Sequence, residues 1–146
     1  MRIALAIRDV LDAETALIDA LATIGERHRD DHDVFHLSRT LIDVHRSGLE
    51  TLAPFAERYG AEAGERRGAA PAAAGEGGKA LLHDVRRLHL LYAEASIDWV
   101  LLGQGAQAIR DAELLDAVSE CHAQTLRGMK WTVTRLKTAA PQVLAG

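Results

Sequence analysis

The segment from Leu81 to Ile109, LLHDVRRLHLLYAEASIDWVLLGQGAQAI, decides the fold. Apolar residues recur at Leu81, Val85, Leu88, Tyr92, Ala95, Trp99, Leu102, Ala106 and Ile109, in alternating steps of four and three. That spacing keeps one stripe of a helix against a partner. A strand would repeat every second residue instead. A second apolar line runs through Leu90, Leu91, Ile97 and Leu101. This helix is therefore expected to be apolar on most sides between 88 and 102. Either it is the most buried helix, or those four residues form the interface of a homodimer.

Three more segments carry the same period. The first has seam positions Ile3, Ile7, Val10, Glu14, Leu17, Leu21 and Ile24. It should end near Arg27, before a charged turn in which Asp31 or Asp33 can cap the next helix. The second runs from about Asp33 to Tyr59, with Val34, Leu37 or Ser38, Leu41, His45, Gly48, Leu52, Phe55 and Tyr59 on its seam. Pro54 lies inside it and predicts a kink, because proline removes the bond to the Glu50 carbonyl. The fourth starts at Asp111, a good N-cap, with Glu113 in its first turn. Its seam reads Leu115, Val118, His122, Thr125, Met129, Thr132 and Leu136, and Pro141 is expected to end it. Gly60 to Gly78 reads as a flexible connector rich in Gly and Ala. The prediction is one all-α domain over residues 1–146: a four-helix bundle with a long crossover between helices two and three.

Composition agrees and narrows the function. Apolar residues are 48% and aromatics 4%, which favours helix over sheet in a chain of 146 residues. Lys plus Arg is 17 against 21 Asp plus Glu, a net charge of −4, so nothing argues for nucleic acid. Cys121 is the only cysteine, which excludes an intrachain disulfide and a multi-cysteine zinc site. The apolar start, Met1 to Ile7, is interrupted by Arg8, Asp9, Asp12 and Glu14 too early for an export signal. No apolar run reaches the about 18 residues of a membrane span. A cytoplasmic protein with no membrane partner is expected.

The halves repeat. Ala13-Glu14-Thr15-Ala16-Leu17 is echoed by Ala93-Glu94-Ala95-Ser96-Ile97, and Asp43-Val44-His45 by Glu120-Cys121-His122. Leu49 then matches Leu126, and Arg58 matches Arg135. Two helical hairpins are indicated, each offering a glutamate and then a histidine. Glu14, His45 and His122 fall on seams, where a polar group must find a partner. Glu94 sits beside the seam residue Ala95, within the second apolar line.

The order Glu, His, crossover, Glu, His resembles the ferritin-like superfamily, nearest the small stress-associated bacterial bundles of the YciE/YciF type. The resemblance implies a metal site of carboxylate and imidazole ligands: Glu14, His45, Glu94 and His122. Family members carry Glu-x-x-His on the second and fourth helices. Here Ile42 and Ser119 stand at those glutamate positions. Asp43 and Glu120 lie two residues before the histidines, roughly 200° around the helix from them, and cannot take the motif role without distortion. Four ligands suffice for one ion, and their chemistry suits iron, zinc or manganese. The four groups are then expected to converge within about 6 Å, as bundle-core ligands do. The alternative is a metal-free scaffold of the same fold, acting in oligomerisation or protein interaction. No catalytic residue is assigned.

Other motifs are read as structure. Asp43, Arg46, Asp98 and Glu120 are candidate supports for the ligands, with a solvated salt-bridged face as the simpler reading. His28, His32 and His36 straddle a turn and are not expected to converge on a metal. Gly103-Gln104-Gly105 reads as a helix-end turn with no nucleotide or flavin role. Trp99 and Trp131 are expected as core or interface aromatics.

Overall fold

The computed structural model describes residues 2–64 and 77–146, and among them every regular element is a helix. α1 spans Ile3–Arg27, α2 His32–Tyr59, α3 Gly77–Ala108 and α4 Ala112–Ala145. α1 packs on α2 and α3, and α4 packs on α3 and α2. The helices thus stand in a square, with α1 diagonal to α4. Asp84, near the start of α3, meets Arg27 and His28 at the end of α1, and Gly105 near its end meets Ile3. α1 and α3 are therefore antiparallel. So are α2 and α4, because Arg135 reaches Asp31 and Arg58 reaches Asp111.

The end of α2 and the start of α3 lie at opposite ends of this square. A crossover of bundle length must join them, as the sequence predicted. α2 has 28 residues, roughly 42 Å at about 1.5 Å per residue. The connection is long enough, since an extended chain covers about 3.3 Å per residue. Its first part is tied to α1 by the Gly64 amide, which donates to Asp12 at 2.8 Å. The rest of the expected flexible connector, residues 65–76, lies outside the described residues, and the helix already begins at Gly77.

Two aspartates set the helix starts. Asp31 accepts from the Val34 amide and Asp111 from the Leu114 amide. Each satisfies a backbone donor that has no intrahelical partner. Each also receives an arginine from the neighbouring helix: Arg135 to Asp31 at 2.5 Å and Arg58 to Asp111 at 3.0 Å. Asp111 takes the Tyr59 hydroxyl as well. That hydroxyl, the Leu114 amide and Arg58 together hold its carboxyl below the usual range. Arg58 and Arg135 thus make the same kind of clasp at opposite ends of the α2–α4 pair. In the other antiparallel pair, α1 and α3, Asp84 is buried under Arg27 at 2.7 Å and His28 at 2.6 Å.

The seams of α1, α2 and α3 are buried nearly as read, except that Gly48 and Tyr59 are half-buried and Ile109 is exposed. Four expectations are corrected. Leu91 is 3% exposed and belongs to the core, whereas Leu90, Ile97 and Leu101 face outward. The α4 seam is Leu114, Ala117, Val118, Cys121, Thr125, Gly128 and Thr132, so His122 is half-buried beside it. α4 continues through Pro141 to Ala145. The proline lies in the last turns, and Val143 beyond it packs on Gly78 of α3. Gly103 and Gly105 lie inside α3, where an absent side chain admits Val118 and Ile3. α2 runs unbroken through Pro54.

Gly128 is the tightest of these approaches, because a Cβ there would enter the Tyr92 ring. Gly128→Ala gains about 1 kcal/mol of helix propensity and loses about 1–3 kcal/mol to overpacking. A lower urea midpoint at unchanged slope is expected. Gly103→Ala, whose Cβ would meet Val118 at 3.3 Å, should cost less. Equal midpoints for Gly128→Ala and the native chain would show that Tyr92 does not lie against α4.

Candidate functional site

Two apolar clusters fill the bundle. One contains Leu17, Leu21, Ile24, Val34, Leu41, Leu88 and Leu91; the other contains Ile7, Val10, Leu52, Phe55, Leu102 and Leu114. Between them lies a polar layer to which every helix contributes. α1 supplies Glu14, α2 His45, α3 Tyr92 and Trp99, and α4 Thr125. None of the five is more than 2% exposed.

A carboxylate at that depth survives only if its lone pairs are met. Glu14 Oε1 accepts from the Trp99 indole N–H at 2.6 Å and the Thr125 hydroxyl at 3.0 Å. The Thr125 hydroxyl also lies 3.3 Å from the Cys121 carbonyl. With a single proton it donates to the nearer, charged acceptor. Glu14 Oε2 faces His45 Nδ1 at 2.6 Å, off the line of a ring N–H hydrogen bond, and has no other partner among the described residues. The other ring nitrogen, Nε2, lies 2.8 Å from the Tyr92 hydroxyl. Burial, reinforced by the charge of Glu14, pushes the Tyr92 phenol far above its ordinary range, so it keeps its proton. Because the Tyr92 hydroxyl donates, Nε2 accepts and Nδ1 is the ring nitrogen turned to Glu14.

Carboxylate, imidazole and hydroxyl stand in the order of a nucleophilic triad. The terminal hydroxyl, however, is a phenol with 0% exposure, held protonated. At that depth the relay ties α1, α2 and α3 together.

One side of this layer is open. Between α2 and α4 lies a cavity of about 250 Å³ lined by Val44, His45, Ser47, Gly48, Thr51, Glu120, Cys121 and Gln124, with Glu14 at its floor. Burial, then the charges of Glu14 and Glu120, raises the Cys121 thiol to about 11. Gly48 opens the wall opposite it, since a Cβ there would still clear Cys121 Sγ by 3.7 Å.

The expected ligand set is only partly assembled. Glu14 and His45 are in contact. His122 is half-buried, hydrogen-bonded through Nε2 to Ser96 at 2.9 Å, and its partial burial lowers its pKa against the pull of Glu14. Glu94 is exposed on the outer face of α3, one position off the seam residue Ala95. Among the described residues no three His, Cys, Asp or Glu side chains gather as a metal-holding group. His28 turns to Asp84, while His32 and His36 stack on each other at 5.9 Å on the surface. Sequence reasoning missed Trp99 and Thr125 as partners of Glu14 and Tyr92 as the partner of His45, although all three stand at seam positions. A polar-tipped aromatic beside a seam carboxylate was the available signal.

Tyr92→Phe leaves His45 Nε2 buried without a partner and should cost about 1–3 kcal/mol. Glu14→Ala strands His45, Trp99 and Thr125 together and should cost about 3–5 kcal/mol. Urea unfolding checks both. Labelling of Cys121 by iodoacetamide should be slow at about pH 8 and accelerate only as the thiolate forms nearer pH 11. Fast labelling of the folded chain at neutral pH would contradict the buried, charge-repelled thiol.

No family model, curated protein or solved structure matches the chain.

Proposed function

We propose that this chain is a ferritin-like bundle in which a hydrogen-bonded core replaces the metal centre, and that it serves as a scaffold for self-association. One observation carries the reading: the groups available as ligands are engaged with core partners from all four helices. Glu14 Oε1 is taken by Trp99 and Thr125, and His45 lies between Glu14 and Tyr92. A dinuclear site does not fit this donor set. Ile42 and Ser119 offer no carboxylate, and Glu94 is exposed. The contact surface in this reading is the outer face of α3, where Leu90, Ile97, Val100 and Leu101 are 43–61% exposed. Apolar residues on one helix face favour a partner of the same kind.

A second reading keeps one iron, zinc or manganese ion at the cavity between α2 and α4. It is favoured by Glu14 Oε2, a buried oxygen without a well-aligned hydrogen bond, next to His45 Nδ1. Both atoms are of the hard or borderline type those ions take. Their role would be to hold the ion, with the remaining positions open to the cavity.

Two measurements separate these readings. Without a metal, a chelator leaves the melting temperature unchanged and purified untagged protein carries no first-row metal. A bound ion at one hundred times its dissociation constant would stabilise the fold by about 2.7 kcal/mol, and the chelator would lower the melting temperature by several degrees. In light scattering, Ile97→Glu and Leu101→Glu should lower the molecular mass of a folded protein. A native chain that is already monomeric would overturn the scaffold reading.

A further inference from the structure

A second cavity, independent of the polar layer, lies in the groove between α1 and α2. It has a volume of about 320 Å³. Leu21, Ala22, Phe35 and Ile42 give it apolar walls, and Ser38 lies within it. Ser38 is 1% exposed, and its hydroxyl has no hydrogen-bond partner among the described residues. That is unusual for a hydroxyl inside a helix, which ordinarily returns to the carbonyl four residues back. Thr15, Thr23, Thr40, Thr51 and Thr138 of this bundle all do so. Gly25 faces Ser38 from α1, where a Cβ would come within 3.0 Å of the Ser38 Cβ. The rim is cationic. Arg29 and Arg39 flank the Phe35 ring at 5.8 and 5.5 Å. Arg29 is paired with Glu26 at 2.9 Å. Arg39 has no carboxylate partner among the described residues.

We infer that this groove binds a small aromatic hydroxycarboxylate. The ring lies among Leu21, Phe35 and Ile42. The inner hydroxyl meets Ser38 Oγ, which is otherwise unpartnered at a cost in stability. The carboxylate faces the Arg39 guanidinium, whose fork of donors matches it. An organic cation of the same size is rejected by the same arginines. The volume, the apolar walls and a few placed polar groups are those of a small-molecule site.

The probe is 4-hydroxybenzoate, titrated into the full chain and followed by amide shifts in heteronuclear NMR. Saturable shifts at Gly25, Phe35, Ser38 and Ile42 are expected at millimolar ligand. Benzoate, lacking the hydroxyl, should bind several-fold more weakly, and tyramine, with an ammonium in place of the carboxylate, should not bind. Arg39→Ala should weaken 4-hydroxybenzoate by about tenfold, the loss of one charge-assisted contact. Ser38→Ala should make 4-hydroxybenzoate no better than benzoate. Its melting temperature should hold or rise, because a buried unpartnered hydroxyl has been removed. The inference is overturned by an absence of saturable shifts at these amides, by tyramine binding equal to 4-hydroxybenzoate, or by unchanged affinity in both variants.

Discussion

The carboxylate of Glu14 is the constraint on which the bundle centre depends. It is 2% exposed, and a buried charge without partners is worth several kcal/mol against folding. Its partners come from three other helices: Trp99 on α3, Thr125 on α4 and His45 on α2. Each reaches it only at one rotation and one height of its helix. Apolar seams tolerate sliding by a turn, since one leucine replaces another. The carboxylate does not, because a slipped register strands both it and its donors. The layer thus selects one packing among several that the apolar clusters above and below would accept.

The ends of the helices repeat this logic nearer the surface. Asp31 and Asp111 each cap their own helix and receive an arginine from the end of the helix alongside. Exposed ion pairs alone contribute little. A capping aspartate is different, since the cap already fixes its carboxylate and the arginine loses the entropy of one side chain instead of two. The pairs therefore fix how α2 lies on α4. The buried Asp84 under Arg27 and His28 does the same for α1 on α3.

Much of this was legible before any coordinates. Alternation of four and three through Leu81, Val85, Leu88, Tyr92, Ala95, Trp99, Leu102 and Ala106 located the buried face of α3, and Asp111 located the start of α4. The α4 seam was misread because its true positions include Ala117, Cys121 and Gly128, too small to stand out in a hydrophobic pattern. The larger Leu115, Met129 and Leu136 drew the register one position aside and carried His122 with them. Counted from the caps Asp31 and Asp111, the counterpart of His45 is Thr125, and the counterpart of Gly48 is Gly128. At that register neither the two histidines nor Arg58 and Arg135 are equivalent positions. Glu94 is exposed because Ala95 holds the seam, and a step of one residue turns a side chain by about 100°. The partners of Glu14 and His45 were hidden by their ordinary role, since tyrosine, tryptophan and threonine on a seam also read as packing.

Ile42 and Ser119, read beside Tyr92 and Trp99, describe one physical choice. A bundle centre that gathers several carboxylates needs cations to offset their repulsion. A centre with one carboxylate needs only neutral donors and one imidazole, and Trp99, Thr125 and His45 meet that need with no added charge. The aromatic rings then occupy volume that further acidic ligands would require, and Gly128 gives up its side chain to admit Tyr92. Glycine in a helix costs about 1 kcal/mol relative to alanine. The Tyr92 hydroxyl, once admitted, satisfies the remaining nitrogen of His45, whose loss would cost at least as much. Such mutual fitting makes the polar layer a unit, in which a second buried carboxylate would need donors already engaged by Glu14 and His45.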